Sequence, residues 1–406
     1  MIFRTNKIKL LIFSILDNST FNKPRYSFFV EIMLLFLSIK GKMNFFQFGR
    51  YGASCEQRYR QQFEKPFDFM NFNTKIVETH GSGHIIIGFD PSYISKSGKC
   101  TYGFGNYWSG VAGKAKPGLE ISGIAAIDID NNTALHLEAV QTPGREELKE
   151  LGFNLLSWYA NCLTERAEIL KGISKCIVAD AYFSKKTFAD QIILAGMNLV
   201  SRLRKDSDLK YLYFGKQTGK RGRPKKFAGK IKLNDIDKEY FEQVYKDDDK
   251  TVYTAIVYSK ALKRNIKLVY EQIHNNQSES YLLFFSTQLD ADAMEILKIY
   301  KTRFQIEFLY RDGKQFTGLN DCQARSKNKL HFHFNASLTS VNLAKAEYHL
   351  SVPKDERGAF SMADVKTMHH NELLLERFIK VFAVPTYKLI NNDNVKELIN
   401  FGRIAV

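Results

Sequence analysis

The sequence predicts a mixed α/β protein whose sheet is interrupted by a β-rich insertion and preceded by a helical, basic region. Three observations carry that expectation. Short apolar, β-branched runs at 84–89, 121–129, 134–140, 176–179 and 198–203 alternate with turn residues or helix-length stretches. Between residues 204 and 286 the texture changes to the period-two alternation of half-exposed strands. The 406 residues are 44% hydrophobic and 13% aromatic, ample for a sizeable core and too apolar for a disordered chain.

Residues 1–80 read as a helical DNA-binding region. A Pro-started run (24–39) is followed by 44–50, a break at Gly52, and 55–64 with Arg58 and Arg60. Helix, short turn and second basic helix suit DNA contact, and a plain helical cap would give the same pattern. The apolar stretches 10–16 and 28–39 are too short to span a bilayer, and the second contains Glu31. No small-x-small cleavage site follows the first, so both read as buried helices and a membrane role is excluded. The five cysteines are odd in number, widely spaced and without a C-x-x-C pair, which argues against a disulfide framework or zinc knuckle. They read as buried thiols of a reducing, cytoplasmic compartment.

From residue 81 to 203 the order is three strands, a helix at 145–169 with Glu146 and Glu147 in its first turn, a strand, a helix at 185–195 and a strand. Three adjacent antiparallel strands followed by alternating helix and strand describe a sheet of the ribonuclease H type. The insertion, 204–286, offers strands at 210–214, 230–233, 251–259, 265–273 and 281–286, with Asp247, Asp248 and Asp249 in a turn. Residues 287–350 return to helices, at 291–310 and 331–350, and 351–406 form a helical tail. His331 and His333 lie two apart on the second of these helices and point to different faces, so they are not a metal pair.

Two acids stand at the ends of separate strands, Asp90 and Asp180. Paired carboxylates repel unless a cation lies between them, which points to a Mg²⁺ or Mn²⁺ site; singly, each also suits a turn. Tyr300, Arg303, Glu307 and Lys314 are spaced three, four and seven apart. At about 100° per residue they fall within an arc of roughly 60° on one continuous helix. Ile296, Ile299, Phe304 and Phe308 form the adjoining apolar face that would pin it to the sheet.

The stretch from Tyr300 through Arg303 and Glu307 to Lys314 resembles the Tyr-(2)-Arg-(3)-Glu-(6)-Lys signature of bacterial insertion-sequence DDE transposases. The order of Asp90, of Asp180 in Val178-Ala179-Asp180-Ala181-Tyr182, and of the β-rich insertion is similar to the same group. The resemblance implies that Asp90, Asp180 and Glu307 hold two Mg²⁺ or Mn²⁺ ions for phosphoryl transfer on DNA. It implies that Tyr300, Arg303 and Lys314 contact phosphates flanking the cut, and that a homodimer joins two element ends. The partners expected are terminal inverted repeats and target DNA. Gly313 departs from a good helix former just before Lys314, and Pro91 follows the first acid. A metal-dependent nuclease without strand transfer and an inactive transposase-derived DNA-binding protein are the alternatives.

The charge supports a polyanionic partner. The chain carries +16, of which residues 1–75 hold +7 and residues 202–232 hold +10. The centre of the second island is Lys220-Arg221-Gly222-Arg223-Pro224-Lys225-Lys226. An extended Arg-Gly-Arg-Pro segment lays arginines along a narrow minor groove, so Arg221, Arg223, Lys225 and Lys226 are expected to grip DNA. Trp108, in a Gly-rich aromatic loop flanked by Lys96, Lys99, Lys114 and Lys116, is a candidate for stacking a base and more ordinarily a packing residue.

Overall fold

A computed structural model describes residues 4–16, 22–98, 100–217, 223–275, 278–385, 389 and 392–404. Five helices come first: α1 (Arg4–Leu16), α2 (Lys23–Ser38), α3 (Phe45–Tyr51), α4 (Glu56–Glu64) and α5 (Phe69–His80). Then follow β1 (Ile85–Ser95), β2 (Gly105–Ser109), β3 (Lys114–Asp128), β4 (Thr133–Gln141), α6 (Arg145–Glu150), α7 (Leu155–Thr164), α8 (Ala167–Ile173), β5 (Cys176–Val178), α9 (Lys186–Leu194) and β6 (Asn198–Leu203). The insertion supplies β7 (Leu209–Leu212), β8 (Phe227–Lys230), β9 (Glu242–Lys246), β10 (Lys250–Ser259), β11 (Arg264–Asn275) and β12 (Ser278–Ser286). The chain closes with α10 (Ala293–Thr302), α11 (Gln305–Phe316), α12 (Lys327–Ser351), α13 (Met362–Val381) and α14 (Asp393–Asn400).

Among the described residues the strands form one twelve-stranded, mostly antiparallel sheet, with the path β2-β3-β1-β5-β6-β12-β11-β10-β7-β8. Only β1–β5 and β5–β6 pair in parallel. The insertion is not a separate sheet. Its last strand, β12, pairs antiparallel with β6 and so extends the central sheet.

Alternation along β1 sorts the two sides of the sheet. Ile87 and Phe89 join a core with α7 and α9, whereas Ile86 and Ile94 join the core that holds α10, α11 and α12. The N-terminal helices belong to this second core. Phe28, Phe63 and Phe69 surround Phe332 of α12 at ring distances of 5.9, 4.5 and 5.3 Å. Arg25 is buried and spends its guanidinium on the carbonyls of Gln62 and Lys65 at 2.8 and 2.9 Å.

The open edge of β4 is covered by side-chain amides rather than a strand. Asn335 of α12 accepts from Ala139 N–H (2.8 Å) and donates to Ala139 C=O (3.0 Å), and its oxygen lies 3.0 Å from the His136 ring. Two turns later, Asn342 accepts from His136 N–H and donates to its C=O, each at 2.7 Å. Asn73 of α5 donates to Leu137 C=O at 3.0 Å. Buried backbone groups must be paired, and this is why a central helix carries amides where apolar residues would be expected.

Several expectations are corrected. The first strand does not end at Asp90: β1 runs on to Ser95, because β3 is long enough to pair it from Ile85 to Ser95. Pro91 is tolerated there because β5 stops opposite Gly88, which leaves that side of β1 an edge. The Gly-rich aromatic loop contains a short strand, β2, and the glycines around it hid the alternation. The helix expected at 145–169 is three helices, broken where Gly152 takes φ +77° and Asn154 starts a new cap. The helix expected at 291–310 is two, α10 and α11, divided at Arg303 and Phe304. That break turns Phe304 and Phe308 outward, 41% and 39% exposed, instead of onto the sheet. Gly313 does not end its helix; α11 continues to Phe316, and a Cβ at Gly313 would meet Leu338 at 2.8 Å. Cys55 and Cys100 are exposed rather than buried. Among the described residues no helix is long and apolar enough to cross a membrane.

Candidate active site

Asp90 lies on the face of β1 that meets α11, opposite Gly123 of β3. Gly123 has no choice of side chain. A Cβ there would stand 1.8 Å from the Tyr310 hydroxyl. Tyr310, buried on α11, donates that hydroxyl to the Asp90 carbonyl. One helix thus fixes the backbone of the strand acid while carrying Glu307 three residues earlier, about one helical turn away.

Asp180 comes from the adjoining strand. It follows β5 and caps a short 3-10 turn (Ala181–Phe183), its carboxylate accepting from Tyr182 N–H at 2.8 Å. The Ser201 hydroxyl on β6 donates to its carbonyl at 2.8 Å. Glu307 is in the first turn of α11, where the helix dipole favours an acid, and 58% of its side chain is exposed.

The other two acids act on Asp90. Burial raises the Asp90 carboxyl to about 7; the Arg303 cation opposes the shift, and the charges of Asp180 and Glu307 add to it. Asp180 and Glu307, far from residue 90 in the chain, are thus both near enough to act on its charge. Arg303 lies between two of them, 3.8 Å from Asp90 and 2.9 Å from Glu307. Only 15% of its side chain is exposed, and its Nε has no partner among the described residues.

The neighbouring signature residues are held in place rather than splayed into solvent. Tyr300 is half-buried against Phe284, ring centres 5.0 Å apart, and burial raises its phenol. The Lys314 ammonium donates to the Ser92 hydroxyl at 2.9 Å, one step along the Asp90 face of β1. Burial lowers its pKa, and the Asp90 charge partly restores it. The four signature residues do not share one continuous helix face. Tyr300 is on α10, Arg303 at the junction, and Glu307 and Lys314 on α11.

The donor chemistry suits a hard divalent cation, since three carboxylates offer only oxygen ligands. Asp90 is held near 7 chiefly by burial, with Arg303 supplying positive charge beside it. Among the described residues, no three His, Cys, Asp or Glu side chains stand close enough to enclose one ion as they lie. Arg303 occupies the space between Asp90 and Glu307.

The basic island is elsewhere. Arg223, Lys225 and Lys226 are exposed in the β7–β8 connection at the far edge of the sheet. Seven strand spacings separate β8 from β1, on the order of 30 Å. A reciprocal pair of bonds, Gln217 to Lys225 N–H and C=O, each 2.9 Å, fixes the base of this arm. Arg221 and Lys220 lie outside the described residues, as does Lys99. Trp108 is 64% exposed on β2, at the opposite sheet edge.

The sequence reading missed Tyr310, Ser92 and Gly123. Gly123 carried a signal: a glycine inside the apolar run 121–129 marks a close approach by another group. Tyr310 stands one turn beyond Glu307, on the side of the helix turned toward the sheet.

No curated protein matches the chain. Residues 163–343 match the family model described as the transposase DDE domain. The matched segment contains Asp180, the insertion and Glu307, and begins after the strand that bears Asp90. Together with the mixed α/β sheet, this match supports a transposase of the DDE family.

Proposed function

We propose that this protein is a DNA transposase that cuts the ends of its own insertion sequence and joins them to target DNA. The observation that supports the reading is that Asp180 and Glu307, each delivered by a different element, both act on the charge of Asp90. The order β4-β3-β1-β5-β6, with the first three antiparallel and the last two parallel, supports a ribonuclease H-like core.

Asp90, Asp180 and Glu307 would hold two Mg²⁺ or Mn²⁺ ions. Such ions activate the attacking oxygen and stabilise the leaving one in an in-line displacement at phosphorus. The chain's own part is positional. Tyr310 and Gly123 fix Asp90, the capped turn fixes Asp180, and the first turn of α11 presents Glu307. Arg303, with its planar fork, and Lys314, with its compact charge, would neutralise phosphate beside the acids. Arg223, Lys225 and Lys226 with Arg221 would grip DNA away from the cut. A homodimer would bring two ends together, working in the cytoplasm on the nucleoid.

The test uses purified protein, Mg²⁺ and a plasmid carrying the DNA that flanks its gene. Strand transfer supports the reading, cleavage without joining favours a nuclease, and binding without cleavage refutes both. Asp90→Ala, Asp180→Ala and Glu307→Ala should each abolish cleavage while end binding persists. Loss of binding in step with cleavage would make the acids structural.

A further inference from the structure

We propose that a polar cleft at the far end of β1 is a second DNA-phosphate site, which receives the strand as it runs away from the acid cluster. This rests on the DNA reading above. The cleft, about 400 Å³, is lined by Ser95, Lys96 and Thr101 from the end of β1 and beyond, by Lys42, and by Asp321 and Arg325 from the segment after α11.

Its position follows from the strand. Side chains two apart on β1 share a face, so Asp90, Ser92 and Ile94 form a row on the side that meets α11, and Lys96 is the first residue beyond the end of the strand. Lys314 already reaches Ser92. Lys96 lies six residues from Asp90, roughly 20 Å of extended chain. That span is on the order of six nucleotides of duplex rise. The acid site and the cleft are thus two stations on one track, with Arg303 and Lys314 at the first.

Its charge is suited to an anion. Lys42, Lys96 and Arg325 face one carboxylate, Asp321. That carboxylate is engaged by the fold: it accepts from Met43 N–H at 2.9 Å and acts on the buried Lys366 ammonium. Lys96 is anchored on the Cys322 carbonyl, and burial lowers its pKa. A further donor is unused. The Thr101 hydroxyl is buried, the residue being 5% exposed, and it has no hydrogen-bond partner among the described residues. A phosphodiester fits a cleft lined by three cations; an apolar or cationic ligand does not.

Lys42 and Arg325 are exposed, so they can be changed without opening the core. Binding of a random-sequence duplex of about 40 base pairs, followed against salt in EDTA, reads the number of phosphates neutralised, about 0.9 per contact in the log–log slope. The Lys42→Ala/Arg325→Ala variant should lower that slope by about two relative to the unaltered chain. Lys42→Arg/Arg325→Lys should preserve it, and Lys380→Ala/Lys396→Ala on the C-terminal helices should leave it unchanged. An unaltered slope in the first variant, while the parent chain binds, overturns the cleft and leaves the transposase reading standing. Equal losses in all three variants overturn it too, since the effect would then not belong to this cleft. If the parent chain shows no salt-dependent binding, both readings fail.

Discussion

Asp90→Asn should make the protein inactive and, in the absence of metal, more stable. Unfolded, the Asp90 carboxyl titrates near its ordinary value; folded, burial and the charges of Asp180 and Glu307 hold it at about 7. Between those values the unfolded chain carries the charge and the folded chain a proton, so folding binds a proton and stability falls as pH rises. The shift is roughly three pH units, and each is worth about 1.4 kcal/mol. At about pH 8, therefore, the ionised side chain costs the fold up to about 4 kcal/mol. Asparagine resembles the protonated acid in shape and carries no charge, so it removes that cost.

The assay is urea unfolding of parent and variant in EDTA at about pH 5 and about pH 8. The variant's advantage should grow with pH, from about 1–2 to about 3–4 kcal/mol. Plasmid cleavage with Mg²⁺ should vanish, and Mg²⁺ should stabilise the parent more than the variant, because a ligand that binds only the native state raises its stability. A variant no more stable than the parent at the higher pH would refute the claim that Asp90 is an acid held against its own charge.

Three other outcomes are expected. Gly123→Ala puts a methyl 1.8 Å from the Tyr310 hydroxyl; overpacking of about 1–3 kcal/mol and a displaced Asp90 should lower cleavage about a hundredfold with DNA binding retained, whereas unchanged cleavage would show that Tyr310 does not position the acid. Asn335→Leu leaves Ala139 N–H, Ala139 C=O and the His136 ring unpartnered, at about 1–3 kcal/mol each, so the urea midpoint should drop sharply. Burial pushes His136 down to about 3 and His333 to about 4; both stay neutral in the fold while the unfolded chain takes up protons below its ordinary histidine value. Each should cost stability at about 1.4 kcal/mol per unit as pH falls toward those values, and a His136→Gln variant should lose part of that acid slope.

What the sequence made legible, and what it hid, separates by range of interaction. Strand β6 and helix α9 were readable to within a residue because a short apolar run and the positive-φ Gly196 that ends the helix mark them locally. The continuous helix through Tyr300 and Glu307 was misread because its periodicity survives the break; only packing against the sheet decides that Arg303 becomes a junction. The sequence offers the acids as a set, but not which side chains stand between them. A sequence shows that Arg303 and Glu307 are four apart, not that the guanidinium also reaches Asp90. The amides at Asn335 and Asn342 look like ordinary polar residues until β4 is seen to lack a neighbour strand.

The insertion explains how Glu307, so far along the chain, can act on Asp90. The chain leaves the core at Leu203 on β6 and returns on β12, whose Leu283 stands opposite Leu203 and whose Ser286 stands opposite Val200. Exit and re-entry are neighbouring strands, so everything between them closes on itself as β7 to β12. Loop-closure entropy grows only slowly with length, and the antiparallel pairing of β6 and β12 fixes both ends. Thr287 N–H then bonds Leu199 C=O at 3.0 Å, beside β5. From that anchor α10 and the turn at Arg303 carry Glu307 back toward Asp90 and Asp180. Lengthening the outer loops of the insertion should therefore leave the acid site intact, whereas loosening the β6–β12 pairing should uncouple Glu307 from the other two acids.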